Sequence, residues 1–215
     1  MSYIAERRQE EKDRRHNEIV AAAEDLYREI GWDAVTMDAV ARRARLSRAL
    51  VYVYFKDKTD LHFAIAVRAM EQLHRSFLDA SRNAPTGADK VLAIGHAYIT
   101  YSRDFPHYFD ACARLELHTP SGSEPTPQEM LCFEAGKLPH QVVIDALRVG
   151  QQDGSIRTDL GDLDVTARVL WGFTHGLIQV AMTKGEVLAR SGIAVAQLTQ
   201  QAMDLLTYSL RGKQP

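Results

Sequence analysis

Apolar positions recur along this chain at intervals of three and four, and the two-residue alternation of a half-buried strand is almost absent. Ile19, Ala22, Ala23, Leu26 and Ile30 share one face of a predicted helix, and Gly31 follows directly as a C-terminal cap. Thr36 is placed as an N-cap before MDAVARRA, with Asp38 beside the positive helix end. Ser47 caps a second short helix only about three residues after that one stops. Asp57 caps a third start, and Leu61, Ile65, Leu73 and Phe77 then predict a long amphipathic helix running to about Ser81.

Asn83, Pro85, Thr86 and Gly87 interrupt this pattern and are the clearest break between the front and the rear of the chain. Further helices are expected at about 91–103, 106–118, 129–152, 162–184 and 193–211, with Pro106 opening the second as a first-turn proline does. The stretch TPSGSEPTPQ, 119–128, holds three prolines and predicts an exposed, mobile connection. The expected class is all-α. It divides into 1–61 and 62–215, with the helix 61–81 as the link.

The chain has 215 residues, 46% apolar and 25% charged, as a folded domain requires. Its first residues are too charged for a secretory signal, and the most apolar stretch, Val165 to Met182, carries Arg168 and His175. No membrane role is expected, and the compartment is expected to be the cytoplasm. Cys112 and Cys132 form no CxxC pair, which fits free thiols better than a disulfide framework or zinc site. No metal, cofactor or enzymatic reaction is expected: phosphate-binding glycine loop, GxSxG and HExxH are all missing. Net charge is −2, with 26 basic and 28 acidic residues.

That near-neutral total conceals a local concentration. Between Arg42 and Lys58 lie six basic residues and one acid, +5, which leaves −7 for the remainder. Two short helices joined by so tight a turn cross steeply and need small residues at their contact, which Ala41 and Ala44 supply. With Val40, Leu46, Val51 and Phe55 turned inward, Arg48, Ala49, Tyr52 and Val53 remain on the outer face of the second helix. That is the face a recognition helix lays in the major groove of DNA.

The run LSRALVYVYFKDKTDL, about 45 residues in behind a long first helix, resembles the N-terminal domain of TetR-family transcriptional regulators. Ser47, Tyr52, Tyr54, Phe55, Lys58, Asp60 and Leu61 carry the resemblance, which covers about residues 14 to 62. It implies a nine-helix, two-fold dimeric protein with a C-terminal ligand domain. It also implies phosphate contacts from Thr36, Tyr54 and Lys58, and base-facing positions for Arg48, Ala49, Tyr52 and Val53. Arg48 is the strong donor among those four, and bidentate arginine–guanine pairing is the commonest specific contact. Arg45 stands where the family has glycine; either the turn is irregular here or Arg45 reaches a phosphate. Ala49 replaces another family glycine. Arg7, Arg8, Arg14 and Arg15 form a candidate minor-groove arm, but the interleaved acids Glu6, Glu10, Glu11 and Asp13 favour a frayed, solvated helix start.

A single recognition helix buries too little for useful specificity, so a homodimer reading palindromic half-sites of double-stranded operator DNA is expected. Gly172 and Gly176, four apart, together with Leu198, Ala202 and Leu205, place its interface on the last two helices. An internal core is the competing reading of the same residues, and the resemblance favours the interface between protomers. Trp171 to Gly176 also resembles the C-terminal domain of one TetR subgroup. For a small effector, Tyr101, Phe105, Tyr108 and Cys112 at spacings of 4, 3 and 4 offer one cavity wall, with Trp171 and His175 facing it; ordinary core packing is the competing reading. The expected function is a repressor released from its operator by a small apolar or aromatic effector. The alternative is a helical ligand- or protein-binding module that does not touch DNA.

Overall fold

The computed structural model describes residues 3–116 and 125–211, excepting the side chains of Ile4 and Glu116. Ten α-helices are present among these residues, and no strands. They are α1 (Tyr3–Ile30), α2 (Met37–Ala44), α3 (Arg48–Tyr54), α4 (Lys58–Ser81), α5 (Gly87–Asp104), α6 (Pro106–Glu116), α7 (Pro127–Asp153), α8 (Leu163–Thr183), α9 (Gly185–Arg190) and α10 (Val195–Leu210). Ten helices correct the expected nine, because Lys184-Gly185 starts the short α9 instead of only separating two long helices. A 3-10 turn, Trp32–Ala34, is a further element that the apolar spacing did not reveal. Of the expected connection 119–128, residues 119–124 lie outside the described part, while Pro127 and Gln128 already belong to α7. No helix of the described residues is long and apolar enough to cross a membrane.

Packing divides the chain into two compact units, residues 1–70 with 106–135 and residues 71–105 with 136–215. Contiguity in sequence is therefore not contiguity in packing: α6 and the start of α7 are built into the unit that holds α1 to α3. The chain leaves the first unit within α4 and again within α7. In α7 the crossing at 135/136 lies beside Pro139, whose missing N–H removes the bond that the Ala135 carbonyl would receive.

The first unit has one main core. Ile19, Val20, Ala23 and Leu26 of α1, Val40 and Ala41 of α2, Val51 of α3, Phe55, and Leu61 and Ile65 of α4 are all buried in it. Phe63, Ala66 and Cys132 form a smaller cluster, and burial pushes the Cys132 thiol up to about 11. In the second unit α5, α8 and α10 pack together, burying Ile94, Tyr98, Ile178, Met203 and Leu206. The start of α5 lies close against the end of α7. A Cβ added to Gly87 would fall 2.0 Å from the Gly150 nitrogen. The free N–H groups of α5 are met there by acceptors from the last residue of α7 and the chain just after it: Asp153 takes the Gly87 N–H at 2.7 Å and Ser155 Oγ takes that of Ala88 at 3.0 Å.

Candidate nucleic-acid interface

The helix-turn-helix is held by the caps expected of it. Thr36 Oγ1 accepts from the Ala39 N–H at 3.1 Å, and Ser47 Oγ accepts from that of Leu50 at 3.2 Å. Between them, Arg45 ends α2 in the left-handed conformation, φ 55° and ψ 38°. It is the only non-glycine residue with positive φ among the described residues. The Leu46 N–H reaches back to the Ala41 carbonyl at 2.9 Å and the Arg45 N–H to that of Arg42 at 3.2 Å. These two bonds make a Schellman turn. The turn is regular, and Arg45 occupies the glycine position in it with an exposed side chain.

This turn sets the crossing of α2 and α3 and so decides which face of α3 looks out. Val51 and Phe55 are completely buried, while Ala44 and Leu46 are partly buried against the same core. Arg48, Ala49, Tyr52 and Val53 are exposed, Val53 at 77%. The outer face thus offers one guanidinium, one phenol and two apolar contacts suited to thymine methyls. Around it, Thr36, Arg45 and Ser47 are exposed and Tyr54 is half-buried.

Lys58 and Arg43, near the two ends of the basic segment, are engaged within the protein. Lys58 donates to the carbonyls of Trp32 at 2.6 Å and Asp33 at 3.2 Å, with its ammonium 4.9 Å from a Trp32 ring centroid. Burial in that seat pulls its pKa down. Arg43 pairs with both oxygens of Glu29. At the front, Arg14 and Arg15 pair with Glu11 and Glu18 on α1, which continues as helix back to Tyr3. The candidate arm is thus helical and largely exposed, with charges paired at three- and four-residue spacing.

α6 is tied to the same unit by two polar chains. The Tyr108 hydroxyl donates at 3.0 Å to Glu24, a buried carboxylate paired with Arg68 at 2.8 Å. Burial and Glu24 push that phenol up to about 12. Tyr27 donates to Asp110 at 2.6 Å, and Arg114 joins Asp110 to Asp33. Burial and the Asp110 carboxylate likewise raise the Tyr27 phenol.

The expected cavity wall is divided between the two units. Tyr108 and Cys112 lie in the first, Tyr101, Phe105, Trp171 and His175 in the second. Within the second unit, the rings of Tyr101 and Phe105 meet at 5.5 Å and those of Trp171 and His175 at 5.6 Å, each pair tilted. Tyr98 links these pairs: its hydroxyl is 2.9 Å from His175 Nδ1, and its ring lies 6.4 Å from that of Tyr101. Gln179 is 2.9 Å from the other imidazole nitrogen, and burial lowers the His175 pKa. Tyr98 is not among the residues expected to wall the cavity, although it precedes Tyr101 by three and Phe105 by seven and so shares their face. An open groove of about 360 Å³ lies elsewhere, lined by Gln201, Asp204, Leu205, Thr207, Tyr208 and Arg211. Among the described residues no three potential metal ligands come together.

On the last helices the outcome is also mixed. Gly172 and Gly176 are exposed, with nothing within 4 Å of an added Cβ, and Leu205 is exposed. Ala202, by contrast, is buried within its own unit, because α10 turns that side toward α5 and α8; it does not belong to the open face expected for it.

Residues 19–65 match the family model for bacterial regulatory proteins of the tetR family. Over 90 residues the chain is 26% identical to the HTH-type transcriptional activator FasR of Mycolicibacterium smegmatis, covering 42% of this chain and 41% of that one. The match thus spans less than half of that relative's length. In fold the chain is similar to a protein of unknown function from Rhodococcus sp. RHA1 (TM-score 0.73, 22% identity, 92% and 95% of the two chains). It is also similar to the regulator FadR from Bacillus subtilis, solved in complex with stearoyl-CoA (TM-score 0.66, 18% identity, 90% and 98%).

Proposed function

We propose that this chain, whose residues 19–65 match the tetR family model, is a TetR-family transcriptional regulator, a cytoplasmic repressor that binds operator DNA as a homodimer. An effector in its C-terminal part releases it. One observation carries the DNA half of this reading: α3 buries Val51 and Phe55 and turns Arg48, Ala49, Tyr52 and Val53 outward, within the segment of charge +5. In this reading Arg48 meets guanine, and Thr36, Arg45, Ser47, Tyr54 and Lys58 serve the phosphates.

Two half-sites one helical turn apart need two recognition helices about 34–36 Å apart. The exposed row Val165, Val169, Gly172, Gly176 and Val180 on α8, with Leu205 on α10, supports a protomer contact through these helices. An effector that favours a different spacing of the recognition helices would weaken binding about 5- to 150-fold, the usual range of coupling between sites. The aromatic surroundings of Tyr101, Phe105 and Trp171 support an apolar or aromatic effector. FadR's stearoyl-CoA makes long-chain acyl thioesters the first compounds to test.

The test is a titration of the protein onto labelled DNA from its own upstream region at about 50 and 200 mM salt. Tight binding with a steep salt slope, loosened by effector, is expected. Absence of binding at the lower salt would refute the reading. Arg48→Ala should weaken the preferred site more than random DNA; an equal loss on both would remove Arg48 as the reader.

A further inference from the structure

Arg48 is not a lone cation on the outer face of α3. Asp38, in the first turn of α2, reaches it across the turn. Arg48 Nε lies 3.0 Å from Asp38 Oδ1, and Nη1 donates to Oδ2 at 3.3 Å. The guanidinium carbon also lies 5.5 Å from the centroid of the Tyr52 ring. The pair is open to solvent, the Arg48 side chain being 64% exposed and that of Asp38 48%.

Such an exposed pair contributes little to stability. A carboxylate on a surface that approaches phosphates also opposes binding. An acid in the first turn favours the α2 dipole, but that benefit does not depend on contact with a residue ten positions later. Orientation of the guanidinium does depend on that contact. Free arginine samples many rotamers, whereas a two-bond contact with guanine needs its planar fork held in the plane of the base edge.

We propose that Asp38 is a positioning residue for base selection: with the Tyr52 ring it holds the Arg48 guanidinium in the orientation that meets guanine. α2 then takes part in sequence readout without itself touching a base. The inference rests on the DNA-binding reading above and adds to it a second residue that sets specificity.

The test uses the full chain, a library of half-sites randomised one base pair at a time, and random duplex DNA. For Asp38→Ala, affinity for random DNA should hold or rise, since one negative charge has left the surface. The ratio of preferred to random binding should fall about fivefold to tenfold, part of what one arginine–guanine pair supplies. The lost preference should sit at the base pair that Arg48→Ala also relaxes. In an Arg48→Ala background, Asp38→Ala should change preference no further. Asp38→Asn retains one acceptor oxygen and should keep an intermediate preference; it carries the test should Asp38→Ala unfold. The proposal is overturned if Asp38→Ala and Asp38→Asn keep the full preference, shift all sites by one factor, or lose preference at a different base pair. A wild-type chain with no salt-steep DNA binding would instead overturn the parent reading.

Discussion

Arg45→Gly should make the protein more stable and a weaker DNA binder. Arg45 holds φ 55° and ψ 38° at the position of the Schellman turn where glycine is favoured. A side chain there costs about 1–2 kcal/mol through the crowding of Cβ against the following carbonyl. Glycine removes that cost but gives the unfolded chain more freedom, a penalty of about 0.5–1 kcal/mol. The net gain is about 0.5–1 kcal/mol, which in a chain of this size raises the unfolding midpoint by about 1–4 °C. Thermal unfolding and a urea titration with unchanged slope read this directly. On DNA, the loss of one exposed cation should lower the slope of log affinity against log salt by about 0.9, equally for preferred and random sequences. Arg45→Lys separates the two effects, since it keeps both the charge and the backbone strain and should match the wild type in each assay. An Arg45→Gly protein no more stable than the wild type would refute the strained turn. An unchanged salt slope would remove Arg45 from the phosphate contacts.

Gly87→Ala should cost at least about 3 kcal/mol, because the new Cβ meets the backbone nitrogen of Gly150 at 2.0 Å and backbone cannot swing aside; urea unfolding measures it. Burial holds the imidazoles of His16, His107 and His175 below their ordinary value, so the folded chain binds fewer protons than the unfolded one. Stability should be complete above about pH 6.5 and fall as the pH drops from there through the folded-state values. His175→Gln should flatten that fall in paired unfolding curves at about pH 7.5 and 5.5. Val169→Asp places a charge on the exposed row of α8 and should convert a dimer to monomers in sedimentation, with loss of tight operator binding; a variant as dimeric as the wild type would exclude that face.

Most of the helix boundaries and the outward face of α3 are legible in the residues because both are local. A cap such as Thr36 or Ser47 bonds to an N–H three residues away, and the burial of Val51 and Phe55 follows from a 3.6-residue period. The turn at Arg45 was readable only as a departure, since a left-handed residue outside glycine carries no spacing signal. The partners of the expected cavity residues were not legible, because helical spacing reports which residues share a face and not what that face meets. Tyr108 was grouped with Tyr101 on that ground, yet it bonds to Glu24, 84 positions earlier.

The chain's own pattern therefore determined its helices, its caps, and the concentration of positive charge around a short exposed helix. Each of these depends on interactions within a few residues. The fold alone decided that α6 joins α1 to α3 in one unit, that Ala202 turns inward while Leu205 turns out, and that Asp38 meets Arg48. Those outcomes depend on how helices distant in sequence cross and which sides they cover, and a linear period holds no record of that geometry.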